Sequence, residues 1–96
     1  VKVKFGLFGM PALTELIGAS QIFLEFEGST IADLLASLIK RYGAGVEPML
    51  VDDEKRLHPY ILVMINEVLI GGRNDREQIG LTEGDNIIFS IMAEGG

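Results

Sequence analysis

Residues 29–43 read STIADLLASLIKRYG, and their hydrophobic period differs from that of the strands on either side. Ile31, Leu34, Leu35, Leu38, Ile39 and Tyr42 recur at helical spacing and form one apolar stripe, the pattern of a helix lying on a core. Thr30 with Asp33 three residues on is an Asp version of the capping box, and Gly43 is a natural stop. Lys40 and Arg41 fall in the last turn, where the helix dipole favours cations. Both ends of the helix are therefore marked.

Toward the N-terminus, VKVKFGLF (1–8) and QIFLEFEG (21–28) alternate with period two, which predicts two half-buried strands. Lys2, Lys4, Gly6 and Phe8 share one side of the first, and Gln21, Phe23, Glu25 and Glu27 one side of the second. Paired antiparallel, the two strands would set Lys2 and Lys4 against Glu25 and Glu27. The stretch between them, GMPALTELIGAS, is punctuated by Gly9, Pro11 and Gly18 around a short helical turn.

Toward the C-terminus, residues 44–59 predict a long irregular connection, either holding a short helical turn or mobile, with an acidic tip at Asp52, Asp53 and Glu54. YILVMIN (60–66) is a continuous apolar run, a strand buried on both faces or covered by a partner. EVLIGGRND predicts a short strand and a turn at Gly71-Gly72. REQIGLTEGD predicts a loop with one helical turn, and NIIFSIM (86–92) the last strand. The order strand, strand, helix, strand, short strand, strand predicts an α+β, β-grasp architecture. One main helix packs on one face of a mixed four- or five-stranded sheet. Residues 1–96 form a single domain with a flexible tail at 93–96.

Composition narrows the function. Ninety-six residues, 48% of them hydrophobic, with mean hydropathy +0.33, exclude a disordered chain and leave apolar surface to cover. There is no Cys, hence no disulfide, thiolate metal site or thiol nucleophile, and the single His58 cannot build a His-rich metal centre. A net charge of −6, with no run of Lys and Arg beyond two, argues against nucleic acid. No apolar stretch approaches the roughly 18 residues of a membrane span, and the first residues of the sequence do not show the n-region, h-region and cleavage-site pattern of a signal peptide. A cytoplasmic domain binding no metal, cofactor, nucleic acid or membrane is the expectation. The acidic tip is a solvated loop, since no calcium-loop spacing follows it.

Two features remain unabsorbed. If the helix covers one face of the sheet, then Leu62, Met64, Ile88, Met92 and Phe8 or Phe23 lie on the other. Such a contiguous apolar patch marks a partner surface unless residues 44–59 fold over it. Four residues after Met92 the sequence ends FSIMAEGG. With 12 Gly in 96 residues, a Gly-Gly end arises by chance about once in sixty chains. Residues 93–96 extend about 10–14 Å, enough to thread into another protein's cleft. Glycine fits a narrow channel and leaves the terminal carbonyl open to attack from either side. A carboxylate is a poor electrophile, so chemistry there requires activation, as adenylation by ATP provides.

The ordered set VKVKF, GSTIADLLASL, YILVMINEVLI, LTEGDNIIFSIM and AEGG resembles the ubiquitin-like sulfur carriers of the MoaD/ThiS type, above all the small subunit of molybdopterin synthase. The resemblance covers nearly the whole chain. It implies that a ubiquitin-activating-like adenylyltransferase uses ATP to adenylate Gly96, which then becomes a thiocarboxylate. It further implies that the sulfur passes to a precursor pterin on the molybdopterin synthase large subunit. Gly95, Glu94 and Ala93 would present the terminus, while Met92, Ile88, Leu62, Met64 and Phe8 would dock both partners. The chain would be a carrier, not an enzyme. Ile91-Met92-Ala93-Glu94 replaces the Pro-containing, uncharged stretch of many molybdopterin-type tails, which bears on the choice of partner. The alternatives are a protein modifier joined through Gly96 to target lysines, a sulfur donor for tRNA thiolation or another pathway, and an interaction module with an incidental Gly-Gly end. Without a partner, the apolar face would be free to form a homo-oligomer.

Overall fold

In the computed structural model, which describes residues 1–70 and 75–91, the alternating segments become strands. These are β1 (Lys2–Phe8), β2 (Gln21–Glu25), β3 (Ile61–Ile65), β4 (Val68–Ile70) and β5 (Asn86–Ile91). The helices are α1 (Pro11–Ile17), α2 (Ile31–Tyr42) and α3 (Glu47–Leu50). The five strands form one mixed sheet in the order β2-β1-β5-β3-β4. β1 pairs antiparallel with β2 and parallel with β5, and β3 is antiparallel to both β5 and β4. The predicted β-grasp, with its main helix on one face, is the fold observed.

Alternation decides what is buried. Val3 and Phe5 of β1, Ile61 and Val63 of β3, and Ile87 and Phe89 of β5 join Ile31, Leu34, Leu35 and Leu38 of α2 in one core. Phe5 and Phe89 meet edge to face, with centroids 5.0 Å apart, across the central parallel pair. At the start of α2 the capping box forms in full. Thr30 Oγ1 accepts from the Asp33 N–H at 3.1 Å, while Asp33 Oδ2 accepts from the N–H groups of Ser29 and Thr30 and from the Thr30 hydroxyl. The Ser29 N–H, followed by the Thr30 hydroxyl and N–H, holds the Asp33 carboxyl below the usual carboxylate range. Gly28 sits at φ +100°, and a Cβ there would lie 2.3 Å from Asp33 Oδ2, so the approach to the cap requires glycine.

One expectation is corrected, one is extended, and one alternative is decided. First, β2 ends at Glu25, so the register sets Lys2 opposite Glu25 and Lys4 opposite Phe23; Glu27 lies beyond the strand, where the chain turns at Gly28 into α2. Second, the 9–20 connection holds the seven-residue helix α1, opened by Pro11 and closed by Gly18 at φ +91°. Third, residues 44–59 do not cover the free face of the sheet. They form α3 and an isolated bridge between Val51 and Leu57, and bury Val46, Leu50, Val51 and Leu57 in the helix-side core. The acidic tip is an ordered turn, in which Asp52 Oδ1 accepts from the N–H groups of Glu54 and Arg56. The Arg56 N–H is the main cause of the lowered Asp52 pKa. The turn expected at Gly71-Gly72 lies outside the described residues.

Candidate functional site

The face of the sheet away from α2 is built from alternate residues of all five strands. In register, Ile88 of β5 stands between Gly6 of β1 and Met64 of β3, and Leu69 of β4 lies beyond Met64. The adjacent row sets Ser90 between Phe8 and Leu62. The structure thus brings together the four described residues predicted for docking: Phe8, Leu62, Met64 and Ile88. Phe8 is 75% exposed, whereas Leu62, Met64 and Ile88 are half-buried. Phe23, 67% exposed, belongs to the same face at the β2 edge, so both phenylalanines contribute.

Leu69, 54% exposed, extends the patch and was missed in the sequence. β4 has three residues, too few for alternation to fix which side each occupies. Its place is set by the β3–β4 hairpin, whose two-residue turn has Asn66 at φ 51° and Glu67 at φ 71°, the positive-φ pair that such hairpins need. Asn66 also anchors β5. Its Nδ2 donates to Asp85 Oδ1 and its Oδ1 accepts from the Asn86 N–H, each at 2.9 Å. Burial pushes the Asp85 carboxyl up, but the Thr82 N–H, the Asn66 amide and the Thr82 hydroxyl outweigh it, and the pKa is lowered.

A second support lies at the start of β3. Arg76 is 6% exposed and donates to the carbonyl oxygens of Ile61 and His58, fastening the turn at Arg76–Gln78 to the strand that carries Leu62 and Met64. Burial lowers its pKa. No sequence signal distinguished Arg76 from a surface arginine, because its partners are backbone carbonyls from a distant segment.

β5 is a central strand, runs parallel to β1, and reaches Ile91 at the end of the face marked by Phe8. The tail residues Gly96, Gly95, Glu94 and Ala93, and the docking residue Met92, lie outside the described residues. The row nearest the last described residue is Phe8, Ser90 and Leu62, two apolar side chains flanking a serine. Charge gathers at the other end, where Lys2 stands opposite Glu25 and Lys4 between Phe23 and Asn86. Lys2 Nζ is 5.7 Å from the Phe23 ring centroid. Among the described residues no cluster of three or more His, Cys, Asp or Glu is placed to hold a metal ion, and no helix is long and apolar enough to cross a membrane.

Neither the family models nor the curated proteins give a match in sequence. Solved structures do. Small archaeal modifier protein 1 from Haloferax volcanii superposes with a TM-score of 0.77 at 21% identity, covering 100% of both chains. Small archaeal modifier protein 1 from Methanosarcina acetivorans gives 0.76 at 26% identity, covering 100% of this chain and 97% of the other. A putative molybdopterin converting factor, subunit 1, from Pyrococcus furiosus gives 0.67 at 20% identity, covering 97% and 99%. The structural neighbours of the chain are ubiquitin-like proteins of the MoaD/ThiS type, and it has their β-grasp fold.

Proposed function

We propose that the chain is a sulfur carrier acting through Gly96. The Gly96 carboxylate attacks the α-phosphate of ATP on a ubiquitin-activating-like adenylyltransferase, releasing pyrophosphate and forming an acyl adenylate. Hydrosulfide released by a sulfur donor then attacks the acyl carbon and displaces AMP, leaving a thiocarboxylate. Its sulfur is delivered to a precursor pterin on a molybdopterin synthase large subunit. The chain is the substrate and carrier in these steps, and the chemistry belongs to its partners.

One observation carries the reading: Gly95-Gly96 follows the central strand β5, which reaches its end beside the exposed apolar face. A partner gripping Phe8, Leu62, Met64 and Ile88 holds the root of the tail in a fixed place. Residues beyond Ile91 then extend about 15 Å into its cleft. The side chains of Gly95 and Gly96 occupy no room in a narrow channel. With no Cys in the sequence, no internal thiol intercepts the acyl adenylate.

Intact mass after incubation with ATP, the activating enzyme and a sulfur donor tests this, with a gain of about 16 Da expected for oxygen replaced by sulfur. One residue added after Gly96 abolishes that gain. The reading also requires Gly96 to end the mature protein, which the mass of native protein checks. Structural likeness to small archaeal modifier protein 1 favours a second reading, in which activated Gly96 is joined to lysines of target proteins. Recovery of lysine-linked conjugates without a thiocarboxylate form would establish it instead.

A further inference from the structure

The free face is polarised along its strands. Its tail end carries Phe8 and Leu62, its middle Ile88 and Met64, and its far end Lys4. We infer that the activating enzyme meets this face with an apolar socket beside its tail cleft and with a carboxylate about 13 Å farther from the cleft, facing Lys4. The spacing follows from the four residues separating Phe8 from Lys4 on one strand, at about 3.3 Å each. The inference rests on the sulfur-carrier reading and names the surface that this reading requires.

Lys4 is not explained by the fold. Lysines often guard the exposed edges of sheets against pairing, but β1 is an interior strand, between β2 and β5. The glutamate that its position in the sequence promised is absent, because the register gives Lys4 to Phe23. Among the described residues its ammonium has neither an ion-pair nor a hydrogen-bonding partner. Glu25, opposite Lys2, is the sole carboxylate at a free-face position of the described strands. A partner that covers both exposed Phe23 and half-buried Ile88 must pass over Lys4, and an ammonium so desolvated needs an opposing charge. In a chain of net charge −6, the described strands give this face two lysines, Lys2 and Lys4, against one carboxylate, Glu25. The arrangement gives docking a direction. Turned end for end, the same partner would set its carboxylate over Phe8, leave Lys4 unpaired, and aim the tail away from the cleft.

ATP–pyrophosphate exchange by the activating enzyme, measured against chain concentration, provides the test. Lys4→Glu is expected to raise the half-saturating concentration about tenfold or more with the maximal rate unchanged, and Lys4→Gln to raise it by a smaller factor. Lys40→Glu, on the opposite side of the molecule, changes net charge equally and should leave the curve in place. Added salt should weaken saturation by the natural chain more than by Lys4→Gln. Melting curves establish that each variant folds, and Lys4→Gln keeps the test alive should Lys4→Glu not fold. Equal shifts for Lys4→Glu and Lys40→Glu, or no shift for either, overturn the inference while exchange itself still supports the carrier. No exchange with the natural chain overturns both.

Discussion

On the helix side of the sheet Val3, Phe5, Val63, Ile87 and Phe89 are sealed, none more than 1% exposed. On the other side Phe8, Phe23 and Leu69 stay in water. β5 displays the contrast within a single strand, since Ile87 and Phe89 are core while their neighbours Ile88 and Ser90 face outward. Apolar alternation shows that a face gains from being covered but not what covers it. Here α2 and residues 44–59 close one side, and no described segment closes the other.

Substitutions on the two sides should separate stability from docking. The largest loss is expected for Phe89→Ala, which removes a sealed ring stacked edge-on against Phe5 and costs about 3–5 kcal/mol, read from urea unfolding. Arg76→Met comes next. It removes the Arg76 donor from the buried Ile61 carbonyl and leaves the His58 carbonyl only the Ile61 N–H, and the same measurement should show a loss of about 1–3 kcal/mol. Gly28→Ala places a methyl against Asp33 at a positive φ, and should lower stability by about 1–2 kcal/mol through strain and loss of the cap.

Acid probes the same supports. Asp33, Asp52 and Asp85 all have lowered pKa values in the folded chain, so each binds its proton more readily when unfolded. Their stabilisation is complete above the unfolded value of about 3.9 and is lost as pH falls from there through the lowered folded values. Unfolding followed below pH 5 should be shallower in Asp33→Asn than in the natural chain. The smallest effect on the fold belongs to Ile88→Ser, less than about 1 kcal/mol, yet the same variant should strongly weaken saturation of the adenylation reaction. If Ile88→Ser instead destabilised the chain as Phe89→Ala does, the contrast between the faces would be void.

Much of this was legible in the residues, for local reasons. The stripe from Ile31 to Tyr42 and the cap at Thr30 and Asp33 depend on contacts within one helix, so they could be read directly. The faces of β1, β3 and β5 followed from alternation. What escaped depends on distance. The opposition of Lys4 and Phe23 is set by the register of β1 on β2, which alternation within either strand does not specify. Leu69 needed the hairpin at Asn66 and Glu67 to assign its side. Arg76 reaches carbonyls 15 and 18 residues away, which no pattern of spacing encodes.

The position of β5 between β1 and β3 has a consequence for biosynthesis. A nascent chain stopping short of residue 86 lacks the strand that joins the two halves of its sheet, and the rows of the outer face never assemble. The outer face therefore exists only once the last strand has been made and has paired on both sides.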